Sequence, residues 1–162
     1  MDERGQGEEA IVYREVAHWG FFFHLLLLAL IGLFALVTVG LLIRFTSIGV
    51  IFYAGVLVAL VFLYVNFFRL VFEITEKTVR FGFGVFVKVI PRDTIQSVEL
   101  YEMMFGNYTG YAITFGRDGT LAYHTRNGPG IKITADPLSR PYVVGVRNVE
   151  KVVRLLKPEG GA

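Results

Sequence analysis

The chain has 162 residues, of which 54% are apolar, with a mean hydropathy of +0.54 and a formal net charge of +2 left from 16 basic and 14 acidic side chains. So apolar a composition excludes a disordered chain and is too greasy for an ordinary soluble domain of this size. There is no cysteine, and three scattered histidines, His18, His24 and His124, supply neither a disulfide framework nor a thiolate metal site.

Residues 1–18 form an acidic N-terminal segment with Asp2, Glu3, Glu8, Glu9 and Glu15. Residues 19–43 then run without a formal charge, and as a helix they rise ~37 Å, enough to cross a bilayer. The acidic start and the length of the run argue against a cleaved signal peptide. Residues 44–47 make a short connection in which Ser47 is placed to cap a second helix. That helix, 48–68, rises ~31 Å and has Asn66 as its one clearly polar side chain. Arg44 is the single basic group of the connection, whereas Arg4, Arg14, Arg69, Lys77, Arg80 and Lys88 flank the outer ends. The bias of basic groups predicts an external loop and both termini in the cytoplasm, in a multi-pass protein of the inner cell membrane.

From residue 69 the pattern changes to short apolar or alternating segments punctuated by Gly, Asp, Asn and Pro, the mark of an antiparallel sheet. Strands are predicted at 70–75, 78–83, 85–90, 95–100, 111–115, 121–125, 131–134 and 142–144. Turns fall at Glu76-Lys77, Gly84, Pro91-Arg92-Asp93, Arg117-Asp118-Gly119 and Asn127-Gly128-Pro129-Gly130. Asn148 is a good N-cap for a last helix with Val149, Val152, Val153 and Leu156 on one face, and residues 158–162 are a Gly-rich tail. The fold expected is a membrane helical hairpin followed by an α+β domain over 69–157, a curved antiparallel sandwich or barrel with one C-terminal helix.

This order, with Phe72-Glu73-Ile74-Thr75-Glu76-Lys77-Thr78-Val79, the turn at Gly82-Phe83-Gly84 and the segment from Ile90 through Val98, resembles the pleckstrin-homology-like modules of prokaryotic membrane proteins. Tyr13-Arg14-Glu15-Val16 and the approach to the last helix, Gly145 to Asn148, are similar to those of small two-span proteins of that kind. The resemblance implies the fold. Its best-known ligand, a phosphoinositide headgroup, is not carried over, because the first hairpin offers only Lys77 and Arg80 beside Glu73 and Glu76.

Basic groups outnumber acidic ones between Arg69 and Lys157, and Arg69, Lys77, Arg80, Lys88 and Arg92, nearest the spans in sequence, are the candidate contacts to anionic lipid. Each basic group at such a surface contributes about 1 kcal/mol; the alternative is a solvated face. Gly32, Gly55 and Ala59 form a candidate helix-packing face, closing the hairpin on itself or recruiting another helix. His24 and Asn66, at similar depths, are a candidate intramembrane polar clasp, and an intramembrane histidine is also a candidate proton relay. Gly82, Gly84 and the later glycines are read as turn residues, since none lies between a strand and a helix as a phosphate loop requires.

No nucleophile with a base, carboxylate pair or metal triad converges. His124 is expected at an exposed edge position, and Glu99 and Glu102 on opposite faces of a strand. No catalytic residue, cofactor or metal is expected, and nucleic acid is excluded because the aromatics alternate as core residues. The expected function is a non-enzymatic membrane protein that scaffolds or regulates a membrane protein assembly, including assembly with itself. The alternatives are a sensor of anionic lipid and, more remotely, a membrane enzyme.

Overall fold

A computed structural model of the protein describes residues 10–44, 47–104, 106–108, 110–137 and 140–157. The side chain of Ser47, expected to cap the second helix, and residues 158–162 lie outside the described residues. The elements are β1 (Ile11–His18), α1 (Phe21–Ile43), α2 (Ser47–Phe67), β2 (Arg69–Thr75), β3 (Thr78–Phe83), β4 (Phe86–Pro91), β5 (Ile95–Met103), β6 (Ala112–Phe115), β7 (Leu121–His124), β8 (Gly128–Ala135), β9 (Tyr142–Gly145) and α3 (Val149–Leu156).

The two long helices are apolar all round, and both are long and apolar enough to cross a membrane. They pack along a seam of alternating three- and four-residue steps: Leu27, Ile31, Phe34, Thr38 and Leu41 on α1 and Val50, Tyr53, Leu57, Leu60 and Tyr64 on α2 are buried or half-buried, and the Phe34 and Tyr53 rings meet with centroids 5.6 Å apart. Thr38, the polar member, donates its hydroxyl to the Phe34 carbonyl at 2.7 Å and so brings no unpaired group into the seam. Gly32, Gly55 and Ala59 are exposed instead, and a Cβ at Gly32 or Gly55 would meet nothing within 4 Å. Closure of the hairpin through these small residues is therefore overturned: large side chains fill the seam, and the small ones face outward.

Residues 11–18 are not a bare segment. They form β1, which pairs antiparallel with β2 from Ile11 opposite Thr75 to His18 opposite Arg69. The helical pair is thus an insertion in a strand hairpin, entering and leaving beside the same register pair. Sheet A has the order β1-β2-β3-β4 and sheet B the order β5-β8-β9-β7-β6. The expected all-antiparallel arrangement is also corrected, because β7 and β9 run parallel.

Alternation places Phe72, Ile74, Phe81 and Phe83 of sheet A against Ile131, Ile133 and Val144 of sheet B, and Val149, Val152 and Leu156 of α3 close the same core. Asn148 caps α3 as expected, its Oδ1 accepting from the Lys151 N–H. Sheet B carries a second, smaller core on its other face, built from Met103, Tyr108, Ala122 and Val143. The expected turn at residues 127–130 is largely strand: β8 begins at Gly128, opposite Met103. Gly130 is needed there because a Cβ would lie 2.6 Å from the Val144 carbonyl oxygen of the adjacent strand.

The two stretches at either end of the domain meet. Glu15 of β1 accepts from the Arg147 N–H at 2.8 Å through one oxygen and from the Tyr13 hydroxyl at 2.8 Å through the other. Burial, with the neighbouring Glu15 carboxylate, pushes the Tyr13 hydroxyl up to about 12, so it stays a donor across the ordinary pH range.

Candidate functional site

On the outward face of sheet A, register sets Arg14, Glu73 and Arg80 in one row across β1, β2 and β3. Neighbouring strands lie ~4.8 Å apart, so three charged side chains share a narrow strip. Arg69 stands on the same strand face as Glu73, four residues or ~13 Å nearer the helices. Together Arg14, Arg69, Glu73 and Arg80 line a polar groove of about 260 Å³ whose floor includes Gly82 and Gly84. Arg14 Nε pairs with Glu73 Oε1 at 3.1 Å, the one ion pair among the described residues. Arg69 and Arg80 therefore face the groove without a carboxylate of their own, and the strip has an excess of two positive charges.

Gly82 lies inside β3 rather than in a turn. A Cβ on it would approach the Phe86 carbonyl oxygen to 2.2 Å and Val87 Cα to 2.6 Å, so β4 can pass this close only over a glycine.

The five basic residues expected to act together are separated by the fold. Arg69 and Arg80 are brought together, and Arg14, from the strand that was not anticipated, joins them. Lys77 sits in the turn between β2 and β3, at the end of the sheet away from the helices. Lys88 points the other way, its Nζ 5.3 Å from the centre of the Tyr142 ring. Arg92 is taken up by backbone carbonyls: one guanidinium nitrogen donates to Leu155 in the last turn of α3 at 2.5 Å, the other to Thr75 at 3.4 Å and Glu76 at 3.5 Å. Arg92 is a structural clamp between α3 and the β2–β3 turn. Arg92→Ala is expected to lower the stability of the full chain by about 1.5–3 kcal/mol, the worth of a hydrogen bond from a charged donor. Thermal unfolding in detergent reads this loss.

The polar pair expected between the helices is also corrected. Asn66, 7% exposed, donates from Nδ2 to the Phe62 carbonyl at 2.9 Å and accepts at Oδ1 from the Val85 N–H at 3.1 Å. It fastens the end of α2 to the β3–β4 turn. His24 packs instead on the rings of Phe68 and Tyr64, with centroids 4.7 and 6.0 Å away.

His124 is not at an exposed edge. Its relative exposure is 0%, with the Tyr108 and Tyr111 rings 5.5 and 5.7 Å from its own. Neither ring nitrogen has a hydrogen-bond partner among the described residues. Burial pushes its pKa below the ordinary 6.5, with the Gly110 backbone acting in the opposite sense. Beside it, Tyr101 and Thr120 both donate to Asp118, and the Thr120 hydroxyl in turn meets Tyr108 at 2.8 Å. These bonds hold the loop after β6 under the second core. Among the described residues no three His, Asp or Glu side chains gather as metal ligands.

Comparison with protein-family models, with curated proteins and with solved structures finds no match to this chain.

Proposed function

We propose that the chain is an integral protein of the inner cell membrane whose helical pair holds a non-enzymatic, pleckstrin-homology-like domain at the cytoplasmic face, where that domain binds anionic phospholipid. The observation that carries the reading is the convergence of Arg14, Arg69 and Arg80 on one groove that runs along the outward face of sheet A from the Glu73 row to the helix end, against a single carboxylate. Two features support the topology. His18 and Arg69 are a register pair beside the starts and ends of the helices, so two spanning helices must return the chain to the side it left. The basic groups flank that side, with Arg44 alone at the other. Val85 and Phe86, exposed at the tip of the β3–β4 turn, would then rest at the headgroup layer. Two sheets closed by a C-terminal helix support the family reading of the fold.

The test is a titration of the full chain in neutral detergent with short-chain phosphatidylglycerol, phosphatidylcholine or inorganic phosphate, followed by thermal unfolding. Phosphatidylglycerol is expected to raise the melting temperature and phosphatidylcholine to leave it unchanged. Arg69→Gln and Arg80→Gln should each weaken binding about fivefold, the equivalent of about 1 kcal/mol per basic group at a lipid surface, and added salt should weaken it further. Lys77→Gln and Lys88→Gln should leave it unchanged. An equal response to both lipids, or indifference to the arginine variants, overturns the proposal. A response to inorganic phosphate alone transfers the groove to a soluble anion.

A second reading, scaffolding or regulation of a membrane assembly, is favoured by the outward placement of Gly32, Gly55 and Ala59, which leaves a small-residue surface for a partner's helix or a second copy. Native mass spectrometry of gently extracted protein separates the two: a stoichiometric companion supports the scaffold, and a monomer retaining anionic lipid supports the lipid reading.

A further inference from the structure

The arginine groove fixes more than the sign of its ligand. Arg14 holds Glu73 at 3.1 Å, so the carboxylate of the strip is neutralised, while Arg69 and Arg80, both exposed, have no carboxylate partner among the described residues. Arg80 stands in the Glu73 row and Arg69 four residues from Glu73 along β2, which sets their Cα atoms ~14 Å apart, at opposite ends of the groove. Between them the lining is Val71, Gly82 and Val87, none with a polar side chain to compete for a ligand. An anion seated there is ~7 Å from either Cα, within the span of an arginine side chain, and the two guanidinium groups reach it from opposite sides.

That arrangement discriminates between kinds of phosphate. A guanidinium is a planar fork that takes two oxygens of one phosphorus. Two forks arriving from opposite sides need two different O–P–O edges. A phosphodiester has two unesterified oxygens and therefore one such edge, whereas a phosphate monoester has three oxygens and three edges. Charge points the same way, because a monoester carries about −1.5 to −2 at pH 7, matching the two positive charges the strip leaves unpaired, and a diester carries one negative charge.

We propose that the groove is a site for a phosphate monoester, gripped on two edges by Arg69 and Arg80, and that its membrane source is phosphatidate, the phospholipid whose headgroup is that monoester alone. The inference rests on the anionic-lipid reading of the groove and narrows it to one headgroup chemistry. Arg69, two residues beyond the end of α2, stands at the level where a bilayer presents such a phosphate.

The full chain in neutral detergent at pH 7.5 is titrated calorimetrically with short-chain phosphatidate, with short-chain phosphatidylmethanol, whose single methyl ester closes two of the three edges, and with glycerol 3-phosphate. Phosphatidate is expected to bind about tenfold tighter than phosphatidylmethanol or better, the worth of a second charged, bidentate contact. Arg69→Lys and Arg80→Lys keep the charge and lose the fork, so each should narrow that preference to about twofold while phosphatidylmethanol stays bound. Lys88→Gln, on the other side of the sheet, should change neither. A preference that survives both lysine variants overturns the two-edge grip, and so does equal binding of the two lipids. Where equal binding still weakens in Arg69→Gln and Arg80→Gln, the anionic-lipid reading stands without this inference; binding of neither lipid overturns both. Glycerol 3-phosphate binding as tightly as phosphatidate upholds the monoester site and assigns it to a soluble ligand, against the lipid reading.

Discussion

Gly84→Val is expected to lower the stability of the full chain by about 3 kcal/mol or more, the sum of a β-branched residue forced into left-handed backbone and a collision the main chain cannot relieve. Gly84 has a φ of +48°, and a Cβ there would lie 2.7 Å from Asn66 Cα and 2.9 Å from the Asn66 carbonyl oxygen. Moving the turn away to admit the side chain breaks the Val85 N–H bond to Asn66 Oδ1, the hydrogen bond by which α2 holds the β3–β4 turn. For a chain of this size the loss corresponds to roughly 10 °C in melting temperature. Gly84→Asn separates the two causes, because asparagine tolerates left-handed backbone yet still carries a Cβ. It is expected to fare nearly as badly as valine. A Gly84→Asn protein melting with the native one shows that the close approach does not hold the turn to the helix.

Local patterning accounts for most elements. Uncharged runs placed the two long helices, and the cap at Asn148 with Val149, Val152, Val153 and Leu156 placed α3 at its observed start. Strands β3, β5, β7 and β9 begin where alternation and turn chemistry put them. β1 was illegible because its partner lies some fifty residues downstream, across both helices, with no turn signal between them. Its outward arginine has meaning only beside Glu73 and Arg80, so missing the strand also meant missing a third of the basic groove. In hindsight Ile11-Val12-Tyr13 is a β-branched and aromatic start, a strand signal that the adjoining acidic residues obscured.

The rest of the site was misread where nearness in sequence stood in for nearness in space. Arg92 is close to the helices along the chain, but β2 carries the chain away from them, β3 returns it and β4 carries it away again, leaving Arg92 at the far end with the Lys77 carbonyl accepting from its N–H at 2.8 Å. Asn66 and His24 were paired by depth alone; a turn eighteen residues after Asn66 takes its Oδ1, and the Phe62 carbonyl of its own helix takes its Nδ2. The outward glycines of the helices were read as a seam because small residues suit close approach, yet leucine and aromatic side chains at three- and four-residue steps outbid them for the contact.

His124 makes the second large effect a pH dependence. The same misreading applies to it: alternation gives a strand one wet face, but β7 is interior to sheet B and covered on both sides, by the main core at Tyr123 and by Tyr108 and Tyr111 over His124. In the unfolded chain the imidazole titrates near 6.5; in the folded chain burial holds it neutral to lower pH. Below pH 6.5 the unfolded state therefore binds a proton the folded state refuses. Stability is fully present above that pH and falls as the medium is acidified towards the depressed folded value, at up to about 1.4 kcal/mol per pH unit. His124→Phe keeps a ring of similar size against the two tyrosines and removes the titrating group. Since the one polar contact of His124 among the described residues is a weak one with the Gly110 backbone, the variant is expected to match or exceed the native protein within about 1 kcal/mol at pH 7.5. Its advantage should widen at pH 5.5. Thermal unfolding at the two pH values measures the difference, and parallel losses in both proteins would show that the acid sensitivity arises elsewhere.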